Sequence, residues 1–249
     1  MHRSKLGLLG LCLMALSVMA FAASSASAAE WLILNAKSEV KTGAELKAGI
    51  VGEFEPKTDG TLLTHLLGLS IGVLCTGVTL SGAKLEGSGK ITSGGKVVFT
   101  GCTVLEEPSG KALANCTVSN PGGTAGTVAS NEGKGQLQTN GETLIESNKT
   151  VVEGTKTVGV FAELKFAGTE CPLTSLGNTP VKGVFWIKDC EGKVETHLEK
   201  HLIVESTAHG HTLWLGADNA EHLETTVDGS ALVFLNGEHA TLAWGAKLP

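Results

Sequence analysis

The chain is 249 residues long and carries a formal net charge of −6, with 19 basic against 25 acidic side chains. Arg3 is its single arginine, and tyrosine is absent. Arginine is the main bidentate donor to phosphate and to guanine edges, and tyrosine is a frequent interface anchor. This composition therefore argues against nucleic acid or phosphorylated ligands as partners, and weighs only mildly against a protein-binding face, so an envelope or extracellular partner stays open.

In chain order, residues 1–28 read as a secretory signal peptide. Arg3 and Lys5 form a charged start, Leu6 to Ala20 is an apolar run, and Ala26-Ser27-Ala28 is an A-x-A cleavage signal. Cys12 does not read as a lipid anchor, because Leu11 stands where a small residue is needed. No later segment is apolar over a spanning length. The expectation is an exported chain over 29–249, with no membrane span and an extracellular or cell-envelope location. It should form a single all-β domain with a weak subdivision point at 120–135. Residues 29–249 would carry 17 basic and 25 acidic residues, a net of −8.

Trp31 to Leu34 reads as a first strand, and Thr42 to Val51 as a second. Asp59-Gly60 marks a turn before Thr61–Leu67. The stretch Leu69 to Val118 organises the rest: short apolar and β-branched runs alternate with Gly and Ser-Gly punctuation. Gly94-Gly95 reads as a hairpin turn, and 95–105 as a strand with Val98, Thr100, Cys102 and Val104 on one face. Asn120-Pro121-Gly122-Gly123 is a loop. Asn140-Gly141, between 135–139 and 142–146, predicts a tight hairpin. In Thr157 to Ala167, Val158, Val160, Ala162, Leu164 and Phe166 make one apolar face. Val181 to Lys188 is a further strand. Asp228-Gly229 and Asn236-Gly237 divide 223–227, 230–235 and 238–244 into a three-stranded meander. This spacing predicts an antiparallel sandwich or irregular barrel with hairpin and meander connections. The 33 glycines have no G-x-y period and fall between the apolar runs, as tight turns require.

Five cysteines lie beyond residue 28: Cys75, Cys102, Cys116, Cys171 and Cys190. In an exported chain they predict disulfides with one thiol left over. Cys102–Cys116 is the favoured pair, because the turn 107–110 sets its two flanks opposite each other. Cys171–Cys190 follows, because both flank Val181–Ile187. Cys75 is then the leftover.

The run ETLIESNKTVVEGTKTVGVFAELKFAGTECPL (142–173), with VVFTGCTV and ANCTV, resembles a widespread set of secreted, Gly/Thr-rich, cysteine-containing bacterial proteins without an assigned activity. The resemblance implies an exported β protein and carries no site with it.

Chemistry-bearing patterns are few. Gly68-Leu69-Ser70-Ile71-Gly72 matches the G-x-S-x-G nucleophile elbow, which needs a helix after it; the following GVLCTGVTLSG is strand-like. Six histidines lie between 197 and 239: His197, His201, His209, His211, His222 and His239. His197, Glu199 and His201 would share a strand face, but its outer members would stand about 13 Å apart, too far for one ion. His209 and His211 are the better metal candidates, since rings two residues apart on a strand can converge, with His197, His201, Glu221 or His222 as a third ligand. The bland alternative is a solvated sheet face. Trp31, Trp186, Trp214 and Trp244 read as core residues, although Trp186 shares its face with Lys182 and Lys188. No cofactor motif is present, and no catalytic residue is assigned. The leading reading is a non-catalytic secreted or envelope binding or structural module. The alternative is a secreted hydrolase or metal-binding protein using the His-rich end.

Overall fold

A computed structural model describes residues 28–34, 40–41, 50–56, 60–66, 69–107, 109–190, 193–210, 212–216 and 223–249. The fold is all-β, as the alternation predicts, and its helical segments are short 3₁₀ turns. Among the described residues no helix is long and apolar enough to cross a membrane.

Eight strands close into a ring. They are β3 (Ile50–Pro56), β7 (Lys84–Leu85), β8 (Lys90–Thr100), β13 (Gly133–Leu137), β14 (Thr143–Ser147), β17 (Asn178–Asp189), β18 (Lys200–Glu205) and β21 (Ser230–Leu235). Each pairs antiparallel with the next, and β21 returns to β3. The predicted hairpin joins β13 to β14, with Leu137 opposite Thr143, but its loop is residues 138–142 and of the pair Asn140-Gly141 only Gly141 has positive φ, so it is not the two-residue type I′ turn expected. One end of the ring is covered by a three-stranded sheet of β1 (Glu30–Leu34), β2 (Val40–Lys41) and β22 (Trp244–Lys247). Trp31 and Trp244 meet there edge to face, ring centres 5.6 Å apart, in a cluster with Leu85, Leu137, Val194 and Leu235.

The remaining strands form a second, curled sheet. They are β4 (Gly60–Leu66), β5 (Leu69–Cys75), β6 (Gly77–Ser81), β9 (Thr103–Glu107), β10 (Lys111–Ala112), β11 (Thr117–Ser119), β12 (Thr127–Ala129), β16 (Lys156–Ala167), β19 (Leu213–Leu215) and β20 (Leu223–Asp228). Strand β15 (Thr150–Glu153) adds a hairpin to β16, and β15, β16 and β17 form a meander. The pair β11–β12 is parallel. Most of the apolar face predicted for β16 lies in this sheet's core: Ala162, Leu164 and Phe166 cluster with Val104, Val118, Val181 and Leu213, and Val160 is buried as well. Each fully buried side chain of this size contributes about 1.5–3 kcal/mol.

Strands β8 and β17 belong to both sheets. In β17, residues 181–183 pair with β19 and residues 187–189 with β18. The change of direction falls at Gly183, φ +117°, where a Cβ would collide with the Thr212 carbonyl oxygen. Glycine is used where one strand must turn a barrel corner against another backbone.

Three expectations are corrected. Gly94-Gly95 is no hairpin turn: β8 runs through it, and the chain turns instead at Gly101 and Cys102, so 95–105 is two strands. The C-terminal meander does not form. Strand β20 pairs with β19 and β4, β21 with β18 and β3, and β22 with β1, so the three runs join three different neighbourhoods. Asn236-Gly237 opens a 3₁₀ turn at Gly237–His239 instead of a hairpin.

The disulfides are the third. They are Cys75–Cys102 and Cys116–Cys171, and Cys190 is free and exposed. The turn 107–110 does pair Glu106 with Lys111, but the chain leaves that hairpin after Leu113, and Cys116 enters the strand that pairs with β16. Thr117 stands opposite Ala167, which brings Cys116 beside the Cys171 loop. Gly168, φ +132°, lets that loop lie directly against the Asn115 carbonyl. Cys171 and Cys190 lie beyond opposite ends of β17, a 12-residue strand about 36 Å long, so a pairing across it is out of reach.

Of the strand expected over Thr42–Val51, residues 42–49 lie outside the described residues, as do residues 1–27 of the expected leader and Asp59.

Candidate functional site

The ring surrounds a cavity of about 220 Å³ that is partly open to solvent. Its wall follows from strand alternation. Phe185 and Ile187 of β17, Ile145 of β14, Ile203 of β18, and Ala231 and Val233 of β21 share the inward face with the fully buried His201 and Leu235. Val97 and Phe99 of β8 and Phe161 of β16 complete it towards the second sheet. Phe161 and Phe185 lie with ring centres 5.9 Å apart, tilted by 39°. Most of these residues are only half-buried although they face inward, because the space beside them is unfilled.

The covered end holds a buried polar pair. His201 is 0% exposed and the Asp189 side chain 2%. The His201 Nδ1 lies 2.6 Å from Asp189 Oδ2, and its Nε2 lies 2.7 Å from the Trp244 carbonyl oxygen. The imidazole also packs on Trp244, centre to centre 4.2 Å. A carbonyl oxygen only accepts, so Nε2 donates. The Nδ1–Oδ2 contact then requires one more proton between the two groups, and the pair is net neutral whichever atom holds it. Asp189 borders the cavity, and His201 sits behind it against the covering sheet. His197 lies close by. Its burial and the charge on His201 both push its pKa below the usual histidine value.

A second cluster joins the β13–β14 hairpin to a 3₁₀ turn at Thr207–His209. Glu142 accepts a hydrogen bond from the Ser206 hydroxyl, and its other oxygen lies 2.6 Å from the Asn140 amide and 2.7 Å from His209 Nε2. His209 stacks on Trp186 at 3.8 Å. Burial raises the Glu142 pKa, but the hydrogen bonds from Ser206, His209 and Asn140 outweigh it and hold the carboxyl below its ordinary range. The carboxylate stands between serine and histidine. The serine therefore lacks the hydrogen bond to histidine that a nucleophile needs.

A folded pKa below the unfolded one adds stability that is present above the unfolded value, about 4.3, and lost as pH falls through the folded value. Glu142→Gln is therefore expected to cost about 1–2 kcal/mol at pH 7 and less near pH 3. Urea titrations at the two pH values check this; an equal loss at both would refute it.

The other sequence candidates are dispersed. His209 sits in the 3₁₀ turn and not on a strand, so the strand geometry drawn for His209 and His211 does not apply; His211 lies outside the described residues, as do Glu221 and His222. Among the described residues no three His, Cys, Asp or Glu side chains gather as a metal site would require. Ser70 is inside β5, opposite His65, and another strand follows that one, so the context of a nucleophile elbow is missing. Trp31 and Trp244 are core as read, while Trp186 and Trp214 are half-buried. Lys182 does not reach solvent beside Trp186; it is 2% exposed and paired with Glu153. The cavity and the Asp189–His201 pair were not anticipated. Their one signal in the sequence is an acid in phase with Phe185 and Ile187.

No protein-family model matches the chain, and neither a curated protein nor a solved structure shows a significant likeness to it.

Proposed function

We propose that this is a non-catalytic binding protein that holds a small apolar molecule inside its eight-stranded ring. The observation that carries the reading is the unfilled apolar cavity. Core residues normally pack at crystal-like density, and a cavity of this size forfeits stability that better-filling side chains would recover. An apolar cavity of about 150 Å³ stays dry and takes benzene. By that scale this one admits a ligand of roughly ten non-hydrogen atoms. The setting suits a carrier or sequestering role outside the cytoplasm: the A-x-A leader supports export, and the two disulfides support an oxidising compartment.

At roughly 0.6 kcal/mol per atom, within the range seen for small ligands, such a ligand gains about 6 kcal/mol, a Kd of tens of micromolar. Calorimetric titration with naphthalene is expected to show one site of that strength. Ala231→Phe, which fills the cavity, is expected to abolish binding while keeping or raising the melting temperature. Absence of both heat and a thermal shift at saturating naphthalene would overturn the reading.

A further inference from the structure

Two buried donors beside the cavity lack an acceptor, and from them we infer that the occupant is a small neutral molecule with a hydrogen-bond-accepting oxygen on an apolar body, such as an aryl ketone or ester. This inference rests on the binding role proposed above. The donors are the indole N–H groups of Trp31 on β1 and Trp244 on β22. Each residue is 3% exposed, and each borders the cavity. Both nitrogens are closed off from solvent, and among the described residues neither has a hydrogen-bond partner. Other buried side-chain atoms without a partner, on Thr92, Glu153, Thr179 and His197, belong to residues that do not border it. Buried donors in folded proteins are nearly always paired, because an unmade bond forfeits the one that the unfolded chain makes to water. The two rings pack edge to face with centres 5.6 Å apart, so both donors belong to the covered end. An occupant that brings an oxygen to that end supplies the missing acceptor, with a tilt of either indole towards it.

The same end sets the charge of the occupant. An indole N–H is a donor without net charge. The His201 imidazole beside Trp244 has both nitrogens engaged. Lys134 and Lys188 border the cavity but are exposed, and Lys134 lies 3.5 Å from Glu146. A carboxylate drawn to the indoles would give up its hydration without a buried cation beside it, whereas a carbonyl gives up far less. Against a hydrocarbon of the same shape, the carbonyl gains the bond that the indoles leave unmade.

Acetophenone and α-methylstyrene test this, since they share one shape and differ in a carbonyl against a methylidene group. Acetophenone is expected to bind at least about fivefold more tightly, the worth of one net hydrogen bond. In the wild type, acetophenone and not α-methylstyrene should move an indole N–H proton resonance downfield. Trp31→Phe and Trp244→Phe identify which one. The variant that removes the bonded indole should lose the acetophenone advantage and still bind α-methylstyrene. Equal or tighter binding of α-methylstyrene by the wild type, or indole resonances unmoved by acetophenone, would overturn the acceptor assignment alone, provided that naphthalene still binds. An advantage that survives both substitutions would do the same. Benzoate binding as tightly as acetophenone would overturn the neutral head group. Failure of naphthalene, acetophenone and α-methylstyrene alike to bind would remove the cavity reading and this one with it.

Discussion

Replacing Cys116 and Cys171 together by alanine is expected to lower the free energy of unfolding by about 4 kcal/mol. This disulfide closes 55 residues of chain. In the chain-entropy account, a cross-link stabilises by removing conformations from the unfolded ensemble, and the gain rises with the logarithm of loop length. Cys75–Cys102 closes 27 residues, so its loss should cost slightly less, about 3.5 kcal/mol. Cys190→Ala should change stability by no more than about 0.5 kcal/mol, since its thiol is exposed and unbonded. Urea denaturation of the three variants, with non-reducing peptide maps of the wild type, tests the ranking. The pairing would be wrong if Cys190→Ala proved the most damaging, or if peptides linked Cys102 to Cys116.

Asp189→Ala is expected to cost about 3–5 kcal/mol, the range for removing one partner from a buried charged pair. The cost arises from what remains. His201 is 0% exposed, and its Nδ1 would lose the Asp189 oxygen at 2.6 Å. The damage should spread to the covering sheet, because the same imidazole donates to the Trp244 carbonyl and packs on the Trp244 ring. Trp244 in turn contacts Trp31. Denaturant melts followed by tryptophan fluorescence read both effects. A loss below about 1 kcal/mol, with the Trp31–Trp244 emission unchanged, would mean that the pair is not buried as described.

Alternation carried much of the fold. The faces of β16 and the hairpin at Asn140-Gly141 were legible because each is decided within a dozen residues, by period-two burial and by turn residues that tolerate positive φ. The pairing of Cys116 with Cys171 was not legible. It depends on where a strand goes after it leaves its local hairpin, and β11 joins β16, some 45 residues further along the chain. The C-terminal meander failed for the same reason. Asp228-Gly229 does separate two strands, but β20 and β21 each meet a better partner from elsewhere in the chain.

The candidate site divides along the same line. The sequence by itself determined that Phe185 and Ile187 share one face of the strand read over Val181 to Lys188, and that the chain is acidic, has one arginine and carries six cysteines. Only the tertiary structure decided that this face looks into a closed ring with space left inside it. Closure is a property of eight strands at once: β21, near the end of the chain, must return to β3, near its start. It likewise decided that the imidazole beside Asp189 is His201, and that His209 serves Glu142 instead. A side chain's alternation is a local property of its own strand, whereas its partner depends on which distant strand lies alongside it.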